Sequence, residues 1–208
     1  MEIKLNAQSS IKITSNKTIY FDPYLIKEET HDADYIFITH EHYDHFDIES
    51  IKKVSNDKTL IVIPNSMAKK VLFQVNPNNV RGVDPNEEYG IEGLSFSTIP
   101  SYNIDKDFHK KDYKWVGYLV KIEDKIIYVA GDTDLTEENK QVKCDIAFLP
   151  IGGTYTMTHK EAAELANTIK PRVVIPIHYK TIVGTAEDAI SFANELDKDI
   201  ECQIIMEW

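Results

Sequence analysis

The sequence lacks the features of secreted and membrane-bound proteins. It has only two cysteines in 208 residues, and because Cys144 and Cys202 both lie in predicted strands, we expect a reducing compartment and no disulfide framework. The longest apolar runs, such as residues 173–177, are far shorter than the roughly 20 residues that cross a bilayer. The N-terminus alternates polar and apolar residues and shows no secretory signal. These absences predict a cytoplasmic protein with no membrane association.

Basic residues are also in the minority. The chain has 23 basic and 34 acidic residues and a formal net charge of −11, whereas proteins that bind nucleic acids usually present a basic surface. Acidic metal ligands are counted in this total, and bound divalent cations would offset part of it. We therefore expect a small-molecule substrate and no nucleic-acid partner.

The sequence shows neither an interdomain linker nor an internal repeat. It has no stretch rich in proline, glycine or serine, no shift in charge along its length and no fixed-period repeat. With 42% hydrophobic residues, it has enough apolar side chains for one core. We predict a single domain over residues 1–208, and an edge strand near the C-terminus offers a surface for a homo-oligomer.

Short strand signals are frequent along the whole chain. Runs rich in β-branched and aromatic residues predict strands at 11–14, 18–21, 34–39, 59–64, 94–99, 115–122, 125–131, 144–150, 172–178 and 202–208. Helix starts are predicted by N-cap residues at Asp47, Ser66, Thr158 and Thr185, the last two completed as capping boxes by Glu161 and Asp188. The early strands follow one another as hairpins, whereas the later ones alternate with helices. This order predicts an α/β (α+β) fold with two mixed sheets covered by helices on their outer faces.

Four predicted strands end in polar clusters. The first ends in His40, Glu41 and His42, and the others end in residues 101–103, 132–134 and 178–179. If these ends share one edge of the fold, their side chains converge on one cleft, where layered α/β proteins usually carry their chemistry.

The segment THEHYDH, residues 39–45, holds the strongest signal for a metal site. His40 and His42 are two residues apart, so in an extended segment both rings leave the same face and reach one cation. Asp44 and His45 follow where the chain turns and can point to a second position. Imidazole and carboxylate ligands without thiolates suit zinc, iron, manganese or nickel rather than a closed structural zinc site. The alternative is a polar turn with solvated, idle histidines.

Two residues further along the chain are weaker candidates when taken singly. Asp132 could merely end a strand in a turn, and His178 could be a core histidine. Joined to the first cluster, they supply a carboxylate able to bridge two metals and a histidine that completes the second metal position.

These motifs, THEHYDH, AGDTD and PIHY in this order, resemble the metallo-β-lactamase superfamily. FDPY, LPIGGTYTM and EAAELANTIKP further resemble its short metal-dependent hydrolases related to ascorbate-6-phosphate lactonase, and the resemblance covers about residues 8–185. It implies a four-layer αββα sandwich with one or two divalent metals, with zinc favoured over manganese or iron.

The resemblance also implies a set of ligands. His40, His42 and a third residue would hold one metal, Asp44, His45 and His178 the other, and Asp132 would bridge them. Many relatives have the third histidine at a strand end where this chain has Asn103, a poor metal ligand. Either His109 completes this first position or the position binds weakly and one metal is held. In a second departure, Gln8 stands where relatives often have histidine.

Some further residues are assigned roles around the metals. We assign Asn103, Gly153 and Tyr179 to substrate binding, because glycine N–H groups and a tyrosine hydroxyl can hold a substrate oxygen. Asp22 is expected to hold a ligand histidine by its free N–H. Asp44 is the predicted catalytic residue, because it could orient the attacking water and then protonate the leaving group.

The predicted activity is metal-dependent hydrolysis. Metal binding lowers the pKa of water from 15.7 to roughly 7, which makes hydroxide available at neutral pH. A small-molecule ester or lactone is the first candidate substrate, because the chain has no large insert to act as a nucleic-acid clamp. Alternatives are a phosphodiesterase or nuclease, and a metal-binding protein without catalysis.

Overall fold

The first part of the chain forms a six-stranded mixed sheet. In this computed structural model, which describes residues 1–71, 75, 77–91 and 93–206, its strands lie in sequence order. The strands are β1 (Glu2–Leu5), β2 (Ile11–Thr14), β3 (Thr18–Phe21), β4 (Tyr35–Phe37), β5 (Leu60–Pro64) and β6 (Val80–Val83). β1 to β3 pair antiparallel, and β3 to β6 pair parallel.

The second part of the chain forms a seven-stranded mixed sheet, again in sequence order. Its strands are β7 (Glu88–Ile91), β8 (Leu94–Pro100), β9 (Val116–Ile122), β10 (Lys125–Val129), β11 (Ile146–Pro150), β12 (Val173–Ile177) and β13 (Glu201–Cys202). β7 to β10 pair antiparallel, and β10 to β13 pair parallel. Each sheet thus has an antiparallel half and a parallel half.

Helices cover the outer faces of both sheets. The α-helices are α1 (Ile48–Val54), α2 (Ala68–Val71), α3 (His159–Ile169) and α4 (Ala186–Asn194). Short 3-10 helices occupy Asn65–Met67, Pro77–Asn79, Lys111–Tyr113 and Asn139–Gln141. Within the described ranges, no helix is both long and apolar enough to traverse a bilayer.

Three apolar clusters separate the layers. The central one lies between the sheets, where the Phe37 ring packs 5.1 Å from Phe21 of its own sheet and 5.0 Å from Tyr118 of the other sheet, measured between ring centroids. A second cluster joins the seven-stranded sheet to α3 and α4, and a third joins the six-stranded sheet to α1 and α2. The inner parallel strands β4, β5, β11 and β12 are buried on both faces, β11 along its whole length. The predicted αββα sandwich is therefore confirmed.

The helix caps follow the sequence signals in three of four cases. The Asp47 side chain accepts from the N–H of Glu49, and both predicted capping boxes are present. The expectation for Ser66 was wrong: it lies inside the 3-10 turn Asn65–Met67, which continues into α2. Part of the helix predicted there, residues 72–74, lies outside the described residues.

Several strand predictions need correction. β1, β6 and β7 were not predicted, because each of these four-residue strands contains glycine, glutamate or lysine, which are depleted in strands. The C-terminal strand spans Glu201–Cys202 and does not include the predicted residues 203–206, while residues 207–208 lie outside the described residues. Cys144 lies just before β11 rather than in it. Both cysteines are free.

Candidate metal centre

The ends of strands from both sheets meet at one edge of the sandwich. The segment after β4 carries residues 39–45, while the segments after β8, β10 and β12 carry His109, Asp132 and His178. The segment after β4 is tied to the opposite sheet, because the Tyr118 hydroxyl donates to the carbonyl of Ile38 at 2.7 Å. Two sheets that are joined in this way fix the side chains of distant residues relative to one another.

His40, His42 and His109 form the first metal group. His40 Nε2 and His42 Nδ1 are 3.0 Å apart, and the ligand atoms of all three lie within 4.8 Å of one another. His40 and His109 are 1% exposed, and His42 is partly exposed. The structure thus places this loop histidine beside the other two, where it could supply the third ligand of the first position.

Asp44, His45 and His178 form the second metal group. Asp44 Oδ2 is 3.6 Å from Nε2 of both histidines, and all three residues are buried. The two rings stack with their planes 20° apart. One carboxylate oxygen and two imidazole nitrogens therefore face a common point.

Asp132 lies between the two groups. Its Oδ2 is 3.2 Å from His109 Nε2 and 3.0 Å from His178 Nε2, and its Oδ1 is 3.3 Å from His45 Nε2. His40 Nε2 is also near, at 3.9 Å. A single carboxylate thus reaches ligands of both groups, as a bridging residue must.

Unpartnered buried atoms show that this arrangement fits a divalent metal. Across the described residues, the buried atoms without a hydrogen-bond partner include His45 Nε2, His109 Nε2 and Asp132 Oδ1. Buried polar atoms are normally hydrogen bonded, but here the two ring nitrogens lie 3.2–3.3 Å from the Asp132 carboxylate without hydrogen-bond geometry. Nitrogen and oxygen donors without thiolates suit zinc, manganese or iron. The residues present therefore fit one or two such ions.

A layer of hydrogen bonds orients the histidines. His45 Nδ1 donates to Asp22 Oδ2 at 2.7 Å, so Nε2 carries the lone pair that faces the cluster. The Thr39 hydroxyl also donates to Asp22, and it can therefore accept from His40 Nδ1 at 3.0 Å. Both rings are thereby fixed with Nε2 towards Asp132.

The charges around Asp132 shift the pKa values of the cluster. Burial opposes ionisation of Asp132, but the rings of His178 and His45 outweigh it and hold its pKa well below the usual range. Burial likewise opposes protonation of His178, yet Asp132 and Asp44 raise its pKa to about 9. Because metal ligands must be deprotonated imidazoles, protons compete with a metal for His178, and metal affinity falls as pH falls.

The backbone near the cluster adopts strained conformations. His178, Asp22 and Gln8 have φ values of 56°, 43° and 57°, in the left-handed region that non-glycine residues rarely adopt. A Cβ on Gly152 would lie 2.4 Å from the carbonyl oxygen of His178, so only glycine fits there. Such strain often accompanies functional sites, because the surrounding structure must hold it.

The three residues assigned to substrate binding take other positions. Asn103 uses both ends of its side-chain amide within the protein, towards His109, Asp134 and Tyr155. The Gly153 N–H donates to the carbonyl of Met157, so it is not free for a substrate oxygen. Tyr179 is 2% exposed and packs in the apolar cluster under α3 and α4. We correct the expectation for all three.

A cavity of about 280 Å³ opens onto the metal groups. Besides Asp132 and four members of those groups, it is lined by Tyr43, Phe108, Tyr155 and Ile182. Phe108 and Tyr155 pack edge to face with ring centroids 4.7 Å apart. The sequence analysis did not identify these four residues. Two signals were available: Tyr43 and Phe108 are adjacent in sequence to metal-group residues, and Tyr155 follows the Gly152-Gly153 pair.

Gln8 is a further residue whose role the sequence did not reveal. Its side chain is fully buried and donates from Nε2 to Asp44 Oδ2 at 3.3 Å. Its carbonyl oxygen accepts from the backbone N–H of His178 at 2.8 Å. Gln8 therefore holds two members of the second metal group in place.

Comparison with known proteins agrees with this geometry. The model of the Beta-lactamase superfamily domain matches residues 2–178. A UPF0173 metal-dependent hydrolase from Pyrococcus abyssi is 32% identical over 92% of this chain and 90% of its own length. YtkL of Bacillus subtilis, which carries the same family name, is 32% identical over 94% of this chain and 93% of its own.

A solved structure also shares the fold. The structure of Igni18, a metallo hydrolase from the archaeon Ignicoccus hospitalis, superimposes with a TM-score of 0.80 over 98% of this chain and 94% of its own. At 21% identity, this likeness concerns the fold alone. From the domain match and the two relatives, the chain belongs to the metallo-β-lactamase superfamily.

Proposed function

We propose that the protein is a metal-dependent hydrolase of uncharged small molecules, with carboxyl esters or lactones as its substrates. Metal-dependent hydrolysis is supported by the two metal groups around Asp132 and by the relatives, which are named metal-dependent hydrolases. The expected metal is zinc, with manganese or iron as alternatives, and the expected location is the cytoplasm.

The proposal for the substrate rests on the residues that line the cavity. Among the described residues that line it, none is a lysine or arginine, and the non-ligand residues are Tyr43, Phe108, Tyr155 and Ile182. The nearby Lys106 is paired with the buried Asp134. Apart from the metals, the described lining offers no lysine or arginine to an anionic phosphodiester. An uncharged ester with an aromatic or aliphatic group, by contrast, would bury apolar surface there.

Each group in the cavity has a defined part in hydrolysis. A bound divalent metal supplies Lewis acidity, which lowers the pKa of water to roughly 7 and polarises a carbonyl oxygen. Asp44 lines the cavity, and the Gln8 amide holds its Oδ2, so its carboxylate can accept a proton from water and pass it to the leaving oxygen. The aromatic rings of Phe108 and Tyr155 hold the substrate group and exclude water.

Two substrates with the same leaving group test this proposal. p-Nitrophenyl acetate and bis-p-nitrophenyl phosphate release the same nitrophenol but differ in charge and reaction centre. With zinc, manganese or iron added separately, we expect a higher kcat/KM for the ester and loss of activity with a chelator. A preference for the phosphodiester with every metal would overturn the proposal.

Paired variants test the role of the cavity wall. Phe108→Ala should raise KM for an aromatic ester several-fold, because the side chain is 47% exposed at the cavity and contacts Tyr155. Ile190→Ala, which removes an apolar side chain of comparable exposure (57%) from α4, is the matched control and should leave KM unchanged. Equal effects of both variants would contradict the assignment of this wall.

A further inference from the structure

We propose that Asn103 and Asp134 are positioning residues that hold His109 as the third histidine of the first metal group. The inference rests on the proposed metal dependence and is independent of the proposed substrate class. It assigns to Asn103 a role in supporting a ligand rather than in binding the metal or the substrate itself.

The loop between Asn103 and His109 is closed by two hydrogen bonds. The Asn103 backbone N–H donates to the His109 carbonyl at 2.7 Å, and His109 Nδ1 lies 2.9 Å from Asn103 Oδ1. The ring of His109 is thus held at the strand end although it lies six residues further along the chain. A short loop that is closed at both ends restricts where the imidazole can point.

The orientation of the Asn103 amide follows from its neighbours. Its Nδ2 lies 3.0 Å from Asp134 Oδ1 and 2.8 Å from the Tyr155 carbonyl, and both of these atoms can only accept. Oδ1 must therefore face His109, and since an amide oxygen also only accepts, His109 Nδ1 carries the proton. His109 Nε2 is left with its lone pair, 3.2 Å from Asp132 and beside His40 and His42.

Asp134 fixes this loop at several points. Its carboxylate is 5% exposed and accepts from Asn103 Nδ2, from the backbone N–H of Ile104 at 2.9 Å and from the Lys106 ammonium. Lys106 also donates to the Thr156 carbonyl at 3.0 Å. The charge of the buried carboxylate is therefore compensated, and the loop is tied to the Tyr155 loop on its far side.

The different roles of His109 and Asn103 follow from the ligand atoms that each side chain offers to a metal. Imidazole nitrogen binds zinc, manganese and iron well, whereas a neutral amide oxygen suits harder cations. With His109 supplying the nitrogen and Asn103 fixing its tautomer, the first metal group retains three imidazoles. Asp134 acts on His109 through Asn103: it accepts a hydrogen bond from Asn103 Nδ2 and so fixes the orientation of the Asn103 amide.

Zinc binding to the full-length protein tests the proposal without any substrate. Metal content after equilibrium dialysis and zinc affinity against a competing chelator are compared for wild type, His109→Ala, Asn103→Leu and Asp134→Asn. We expect each variant to lose affinity for one zinc, by roughly 10–100-fold for Asn103→Leu and Asp134→Asn, while the other site is unchanged. Asp107→Asn, an exposed residue in the same loop, is the matched control and should match wild type.

Two further variants keep the result interpretable. The double variant Asn103→Leu with His109→Ala should bind zinc no more weakly than His109→Ala alone, since Asn103 acts through the histidine. The double variant Asp134→Asn with His109→Ala should likewise bind zinc no more weakly than His109→Ala alone, whereas a purely structural role for Asn103 or Asp134 predicts an additional loss in the double variants.

Opposite results would overturn the proposal. If folded Asn103→Leu and Asp134→Asn proteins, checked by circular dichroism, bind zinc with wild-type affinity and stoichiometry, Asn103 does not position a ligand. If His109→Ala binds as wild type does, His109 is not a ligand. Failure of the ester assay, by contrast, would leave these measurements unchanged, because they depend on the metal alone.

Discussion

Asp22 shows how one buried residue can organise a metal centre that it does not enter. It is fully buried and accepts from the N–H and hydroxyl of Thr39, at 2.8 and 2.7 Å, and from His45 Nδ1 at 2.7 Å. An Asp-Pro pair is also an ordinary turn start, so the sequence permitted both interpretations. The structure shows the hydrogen bond from His45 Nδ1 to Asp22, which places Asp22 behind a member of the second metal group.

We predict that Asp22→Asn weakens metal binding by roughly 10–100-fold without removing a ligand. Asparagine has nearly the same shape, but its amide would present N–H groups where His45 Nδ1 and Thr39 now donate, so the His45 ring loses its fixed tautomer. The measurement is zinc affinity by chelator competition. Asp57→Asn at an exposed position is the matched control, and equal affinities of the two variants would contradict the role of Asp22.

At the residue scale, the sequence predicted ligands that lie at strand ends and missed roles that depend on loop geometry. His40, His42 and His45 could be found because two-residue spacing places side chains on one face of an extended segment. The contact of Asn103 with His109 depends on how a six-residue loop closes, and no periodicity encodes that closure. The role of Gln8 could likewise not be predicted, because its contact with Asp44 joins residues 36 positions apart.

At the scale of elements, the segment between β11 and α3 links fold stability to the cavity. It carries Tyr155 on the cavity wall and ends at the capping box of α3, where Thr158 and Glu161 exchange hydrogen bonds. Both capping boxes were predicted, since their residue types and spacing are local properties of the chain. The short strands β6 and β7 were not, because each contains a glycine, which is uncommon in strands and weakens the local signal.

We predict that Thr158→Ala lowers the free energy of unfolding by about 1 kcal/mol, because it leaves the Glu161 N–H without its side-chain acceptor. The measurement is chemical denaturation monitored by circular dichroism. Thr168→Ala in the same helix is the matched control: Thr168 is exposed and bonds only back to the Glu164 carbonyl, so alanine should be neutral or slightly stabilising. A loss in both variants would argue against the cap.

At the scale of the whole molecule, the metal groups lie where the two sheets meet. The order of strand and helix signals predicted two sheets with outer helices, since hairpins and strand-helix alternation are visible along the chain. The order of strands within each sheet was not predicted, because pairing joins segments that no local pattern connects. The same long-range pairing gathers His40 from one sheet with Asp132 and His178 from the other.

This position predicts that metal binding stabilises the entire fold. Without a metal, buried nitrogens and carboxylate oxygens face one another across the two sheets, and a divalent cation would satisfy them together. A ligand that binds only the folded state at 100 times its Kd adds about 2.7 kcal/mol. For a protein of this size we expect zinc to raise Tm by about 5–10 °C over chelator-treated protein, measured by scanning calorimetry.

Two variants locate the origin of that shift. Asp132→Asn should reduce the zinc-induced rise in Tm to less than half, because the residue between the two groups loses its negative charge and one of its two acceptor oxygens. His31→Ala should keep the full rise, since His31 is largely exposed and belongs to neither metal group. If wild type melts at the same temperature with zinc and with chelator, these side chains do not hold a metal across the two sheets. If Asp132→Asn keeps the full rise, the metal binds elsewhere and Asp132 does not join the two groups.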